Sequence, residues 1–217
     1  MSQAGFGLLG GTFDPVHCAH IGLAHTARTA LHLERVLLLP AAEPPLKPGC
    51  AASADHRLRM VELAVEGEDG LTACALELER SGPSYTVDTL RELARRYPDR
   101  GIWFVIGSDA LGGLDSWHEP AALFDLASFA VVEREPAPGD AALERLLPAG
   151  LTAPFRRGPH GWVHASGHEL RRLPFEPTPI SSSSIRERLR TGQSVRGQLP
   201  DPVIEYIQAH GLYQEDS

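Results

Sequence analysis

At 217 residues, 42% of them hydrophobic, the chain is long enough to bury one core without disulfides or a structural metal. Its three cysteines, Cys18, Cys50 and Cys74, are odd in number and never in C-x-x-C spacing, which fits reduced thiols better than a disulfide frame or a zinc site. A formal charge of −8 argues against nonspecific nucleic-acid binding; with no membrane-length apolar run and no leader pattern, a cytoplasmic protein is expected.

Phe6 to Gly10 reads as a short buried strand. Gly10 and Gly11 suit a sharp turn with close approach to a ligand. Asp14-Pro15 marks a helix start, Asp as cap and Pro at the first position, so a helix is expected from Val16 to Leu31. Its first-turn amides form an anion site. His17 and His20 are three positions apart and share a face there. Two imidazoles beside a phosphate can donate to oxygens that gain charge in a transition state; the anion favours their protonation and the helix terminus opposes it. Gly5-Phe-Gly7-Leu-Leu-Gly10 also satisfies G-x-G-x-x-G, but these residues are themselves the strand rather than a turn after it, so the dehydrogenase reading is set aside.

Arg35 to Leu39 is a second buried strand. The loop after it carries Lys47, the single lysine against 19 arginines. An ammonium differs from a guanidinium in reach and hydration, so that exception is a candidate functional residue, with a solvated loop charge as the alternative. A helix around Asp55 to Val65, a strand-like Leu71 to Leu78, an amphipathic helix Tyr85 to Tyr97 and a buried strand Ile102 to Ile106 follow. The β-α-β-α order implies a doubly wound, mostly parallel α/β sheet in one domain spanning 1–217. Ligands of such sheets bind at the carboxyl ends of strands, where Gly10-Gly11 and Gly107-Ser108-Asp109 fall.

A helix Pro120 to Leu126 leads into a strand Ser128 to Val132, and Pro136 to Gly161 reads as a surface excursion rich in Pro, Gly and Arg. His160, His164 and His168 recur every four residues, but the glycines and proline around them make a metal-binding helix improbable, and no metal site is expected. Ile180-Ser181-Ser182-Ser183-Ser184-Ile185-Arg186 is another helix start, with Ser184 and Glu187 fitting a capping box. Arg186 in a first turn opposes the helix dipole, which points to a bound anion.

The first segment resembles the GGTFDPxHxGH motif of the nucleotidylyltransferase superfamily, in particular its nicotinate mononucleotide adenylyltransferase branch, with Ala19 in place of the usual glycine. Residues 40–48 resemble that branch's PxxxPPHK segment, with Leu46 replacing histidine, and 180–186 its ISSTxIR, with Ser183 replacing threonine. Gly82-Pro-Ser-Tyr85-Thr86 and Gly107 to His118, with Trp117 a flat face for an aromatic ring, are similar to its pyridine-nucleotide segments. Val203 to Tyr213 resembles its last helix.

The resemblance implies a Rossmann-like fold and transfer of an adenylyl group from ATP to nicotinate mononucleotide. His17, His20, Lys47 and Arg186 would be catalytic. Gly10, Gly11, Thr12, Phe13, Ile180, Ser181, Ser182 and Ser183 would join His17, His20 and Arg186 at ATP, and Thr12, Lys47, Tyr85, Thr86, Gly107, Asp109 and Trp117 would hold the mononucleotide. Mg²⁺ would be carried by ATP. Another adenylyl- or cytidylyltransferase and a noncatalytic nucleotide-binding module are the rival readings; monomer and homo-oligomer both stay open. Cys18, at the helix start beside an imidazolium, is expected to have a lowered pKa.

Overall fold

The computed structural model describes residues 3–44, 49–133, 147–176 and 178–214. Strand β1, Gln3–Gly11, is followed by helix α1, Cys18–Ala30, strand β2, Val36–Pro40, helix α2, Ala54–Val65, and strand β3, Leu71–Ala73. Helix α3, Thr86–Arg96, strand β4, Arg100–Gly107, the short helix α4, Ser108–Gly112, helix α5, Pro120–Leu126, and strand β5, Ser128–Val132, come next. Strands β6, Phe155–Gly158, β7, Gly161–His164, and β8, Glu169–Arg172, then precede helices α6, Ser182–Arg190, and α7, Asp201–Ala209.

The strands form one sheet in the order β3-β2-β1-β4-β5-β8-β7-β6. The first six are parallel neighbours, while β7 and β6 run antiparallel at one edge. Alternation along each strand divides the core between the two faces. Leu9, Leu38, Val105 and Ala130 meet α1, α2, α6 and α7 through Ala24, Met60, Ile185 and Val203. Leu8, Leu39, Phe104 and Phe129 meet α3, α4 and α5 through Leu90, Leu111 and Leu123. Adjacent strands β1 and β4 are followed by helices on opposite faces, so their carboxyl ends open the crevice where such sheets bind ligands.

The G-x-G-x-x-G match has a packing cause. A Cβ on Gly5 would lie 2.6 Å from the Gly101 carbonyl oxygen, and one on Gly7 2.9 Å from the Val36 side chain. These glycines let β1 sit close against the start of β4 and against Leu33 and Val36.

Several expected boundaries move. The strand-like Leu71 to Leu78 pairs only through Ala73, and the chain then turns. Tyr85 and Tyr97 flank α3 as its caps. The expected surface excursion instead supplies β6 and the start of β7 from its far end, 155–161; residues 134–146 lie outside the described residues. Arginines of β6 and β8 cover aromatic faces: Arg157 of β6 stacks 4.8 Å from Trp162, and Arg171 of β8 5.1 Å from Trp103.

Candidate functional site

Gly10 and Gly11 remain in β1, paired with Leu39 and Pro40 of β2, so the expected glycine turn is absent. Phe13 makes the turn instead, with φ of 48°. A Cβ at Gly10 would reach Phe104 at an ordinary 3.5 Å; glycine there leaves the strand end uncovered above that ring. Asp14 and Pro15 precede the helix rather than start it, and His17 is the N-cap of α1. The reason lies far along the chain: the Asp14 carboxylate accepts from the amides of Ala51 and Ala52, at 2.7 and 3.1 Å, and from Tyr213 Oη at 2.7 Å. Tertiary donors have taken the capping oxygen.

The two imidazoles stack face to face, with centroids 3.6 Å apart and 17° between planes. Phe13 meets His20 edge-on at 4.9 Å. The His17 backbone amide donates to His20 Nδ1 at 3.2 Å, so that nitrogen is unprotonated and the neutral ring carries its proton on Nε2. Burial brings the pKa of His17 down to about 4. Burial, then the neighbouring His17, holds His20 well below the ordinary value. Of the two opposed influences expected from sequence, neither is the largest: burial keeps both rings neutral at neutral pH, and two imidazolium ions in this stack would repel. Cys18 also departs from expectation, because burial pushes its thiol up and outweighs the backbone hydrogen bond that acts in the opposite sense.

The serine segment docks on this turn from 167 positions away. Ser182 Oγ donates to the Pro15 carbonyl at 2.9 Å. Arg186 Nη1 donates to the Asp14 carbonyl at 2.7 Å, lies 3.8 Å from the Asp14 carboxylate, and Nη2 reaches Ser183 Oγ at 3.4 Å. The cap of α6 is Ser181, whose hydroxyl accepts from Ser184 N at 3.2 Å. Ser184 and Glu187 do not form the expected capping box, since Glu187 pairs with Arg190 at 2.6 Å. Arg186 thus sits in the second turn, and the anion beside it in the unliganded protein is Asp14. Ile180, just before the cap, packs against the core.

The other predicted residues line the same edge of the sheet. Gly107 ends β4, paired with Val132, and caps α4, whose first turn holds the exposed Asp109. Half-buried Trp117 packs edge-on against Phe104 at 6.2 Å, and Phe104 also lies beneath Gly10. This aromatic pair links the two strand ends. Tyr85, the N-cap of α3, stacks on His118 at 4.4 Å. Thr86 is the first residue of α3, among the amides a helix leaves without internal acceptors. Lys47 and Leu46 lie outside the described residues. His164 and His168 are at the opposite, amino-terminal edge of the parallel strands; among the described residues no group of three His, Cys, Asp or Glu can hold a metal ion.

Sequence reasoning missed Arg57, the largest fully buried side chain, 1% exposed. Its guanidinium donates to the carbonyls of Thr12 at 2.8 Å, Ala41 at 2.6 Å, Ala42 at 3.1 Å and Ala52 at 3.3 Å. One cation thereby ties the turn after β1 to the loop after β2 that leads to Lys47. The signal was legible: Arg57, Met60, Val61 and Ala64 are spaced as one helical face. Ser84 and Glu77 were missed too. Ser84 Oγ accepts from the amides of Ala42 and Glu43 at 3.0 and 3.2 Å. Buried Glu77 accepts from Thr89 at 2.7 Å, and burial raises its pKa. This cluster fastens the start of α3 to the same loop.

Residues 8–188 match the cytidylyltransferase-like family model. A Bordetella petrii protein named as a probable nicotinate-nucleotide adenylyltransferase is 44% identical over 208 residues, 96% of this chain and 98% of that protein. One from Citrifermentans bemidjiense, with the same name, is 40% identical over 95% of this chain and 97% of its own length. Among solved structures, the Plasmodium falciparum nicotinic acid mononucleotide adenylyltransferase complexed with NaAD superposes with a TM-score of 0.73 at 20% identity, covering 97% of this chain and 98% of that one. Helices on both faces of a mostly parallel sheet are common to the two folds.

Proposed function

We infer, for a chain that belongs to the cytidylyltransferase-like family and within it to the nicotinate-nucleotide adenylyltransferases, that it joins ATP to nicotinate mononucleotide, giving nicotinate adenine dinucleotide and pyrophosphate. This is a step of NAD biosynthesis. The observation that carries the reading is the docking of 180–186 onto 12–20, which gathers two imidazoles, a guanidinium and a capped helix start at the carboxyl end of β1. These are the groups that a triphosphate in transfer needs.

In the proposed reaction a phosphate oxygen of the mononucleotide attacks the α-phosphorus of ATP in line. The new P–O bond forms as the α–β bridging bond breaks, and the electron pair leaves with pyrophosphate. No side chain needs to become covalently attached; the protein contributes positioning and charge stabilisation. His20, protonated at Nε2, can donate to an oxygen that gains charge without first taking up a proton. Arg186 would move part of its hydrogen bonding from Asp14 and Ser183 to phosphate. Lys47 is proposed to act from the loop after β2. With no ligand cluster for a metal among the described residues, Mg²⁺ is proposed to arrive as part of MgATP.

Across the crevice, Trp117 and Tyr85 would take the pyridine ring, and Thr86 with the first amides of α3 its carboxylate. No helix among the described residues is long and apolar enough to cross a membrane, which accords with the cytoplasmic setting we propose. The test is direct: purified protein with MgATP and either mononucleotide, following dinucleotide and pyrophosphate. Nicotinate mononucleotide should be used with clearly higher kcat/KM than the nicotinamide form. Equal values would remove the proposed carboxylate contact, and no dinucleotide from either would defeat the reading.

A further inference from the structure

We propose that Tyr213 is a positioning residue for adenylyl transfer, its hydroxyl fixing Asp14 so that Asp14 in turn holds Arg186 where it meets the ATP phosphates. This rests on the reading above in one respect, that Arg186 serves those phosphates.

Asp14 is used at both ends. Its carboxylate receives Tyr213 Oη at 2.7 Å, while its backbone carbonyl receives Arg186 Nη1 at 2.7 Å. Asp14, next to the turn at Phe13, is thus held by a residue that follows α7 and itself holds the arginine of α6. The carboxylate does not need the phenol for its own satisfaction, because the amides of Ala51 and Ala52 already donate to it and Arg186 lies 3.8 Å away. What the phenol adds is a third fixed direction. Three donors from two distant segments, 51–52 and Tyr213, leave this carboxylate little freedom to rotate.

The backbone of Tyr213 points the same way. After α7 closes with Leu212 N donating to the Ile207 carbonyl at 3.0 Å, Tyr213 takes a φ of 62°, a left-handed conformation that a bulky side chain adopts only where its surroundings over-determine it, and that concentrates at functional sites. Phe13, beside Asp14, is left-handed as well. The strained end of the chain and the strained turn after β1 meet at one carboxylate. Burial, then Asp14, raises the pKa of the phenol, while Arg186 and Arg57 act in the opposite sense. It remains a donor throughout the working pH range.

Tyr213→Phe keeps the ring and removes only the donor. We expect kcat/KM for ATP to fall about tenfold, as for loss of a hydrogen bond to a charged group, with KM for the mononucleotide and the thermal midpoint nearly unchanged. In an Arg186→Ala background the same substitution should have no further effect, because its route has been removed. Tyr213→Phe with wild-type kcat/KM overturns the inference. So does an equal loss in both backgrounds, or an equal rise in both KM values, each the mark of a general structural role. Should Tyr213→Phe fail to fold, Asp14→Asn substitutes for it: the same ATP-selective loss supports the route, and unchanged ATP kinetics overturns it. If the wild type makes no dinucleotide, the functional reading has failed. Calorimetric titration of MgATP into wild type and Tyr213→Phe still decides this inference, equal affinities overturning it and weaker binding by the variant supporting it.

Discussion

Around His17 and Arg186 the polar contacts are shielded from solvent in part and span the chain: Asp14 with Ala51 and Tyr213, Arg186 with Asp14, Ser182 with Pro15, Arg57 with Thr12 and Ala41. Around Trp117 they lie nearer the surface. Tyr85 stacks on His118, the five residues of α4 separate the end of β4 from a turn, and Arg91 pairs with Glu119 at 2.6 Å in open solvent. The contrast follows from the tasks proposed for each side. A phosphorus in transfer rewards donors fixed to fractions of an ångström, whereas a flat ring is held by area and tolerates some slack. One side should therefore respond to substitution in stability and turnover, the other in substrate affinity.

Two helix arginines give the largest expected difference. Arg57→Ala leaves one buried and three half-buried carbonyls without their donor, a loss of about 3 kcal/mol when a fully buried unsatisfied group costs about 1–3 kcal/mol and a half-buried one less. Arg91→Ala removes an exposed pair and should leave the urea midpoint where it was. Equal midpoints for the two variants would erase the distinction between the regions.

Acid should act on the phosphate side next. His17 has a folded pKa of about 4 against about 6.5 when unfolded, so between those values the unfolded chain binds a proton that the folded one refuses. Stability then falls as pH drops through that window, by about 3 kcal/mol in all from this ring. His17→Gln should lose correspondingly less between pH 7 and pH 4 in urea titrations. Parallel profiles would mean that His17 is not held neutral by burial.

His20→Ala should lower kcat about a hundredfold, the loss expected for one strong transition-state donor, with KM for both substrates little altered. A kcat close to wild type would reduce the stacked histidines to a helix cap.

Much of this was legible from sequence, and the failures share a cause. Parallel strands buried on both faces read as apolar runs, so β1, β2, β4 and β5 were evident from Phe6, Val36, Ile102 and Ser128 onward. Strands β6 and β8 were not, because FRRG and ELRR carry their apolar partners across the sheet as Arg157 on Trp162 and Arg171 on Trp103. Asp14 before Pro15 looks like a cap on local grounds, and only donors 37 and 199 positions away reassign it. Arg57 is polar by type and buried by place; its position on the apolar stripe of α2 was the available sign. The motifs named the candidate residues, while the contacts that position them came from long-range pairings that spacing does not encode.

Trp117 offers the finest test of the contrast. Its ring is half-buried and edge-on to Phe104, which lies under Gly10 at the end of β1, so it is the place where the two regions touch. If it serves only as a stacking surface, Trp117→Ala should raise KM for nicotinate mononucleotide about tenfold, in keeping with about 1–3 kcal/mol for a base on an aromatic face. Uniform binding lost from ground and transition states alike leaves kcat unchanged, and KM for ATP should not move because the Asp14 and Arg186 contacts remain. Trp117→Phe should recover most of the affinity. A fall in kcat comparable to that of His20→Ala would show instead that Trp117 steadies Phe104 and the strand end above it, and that the exposed side takes part in placing the phosphates.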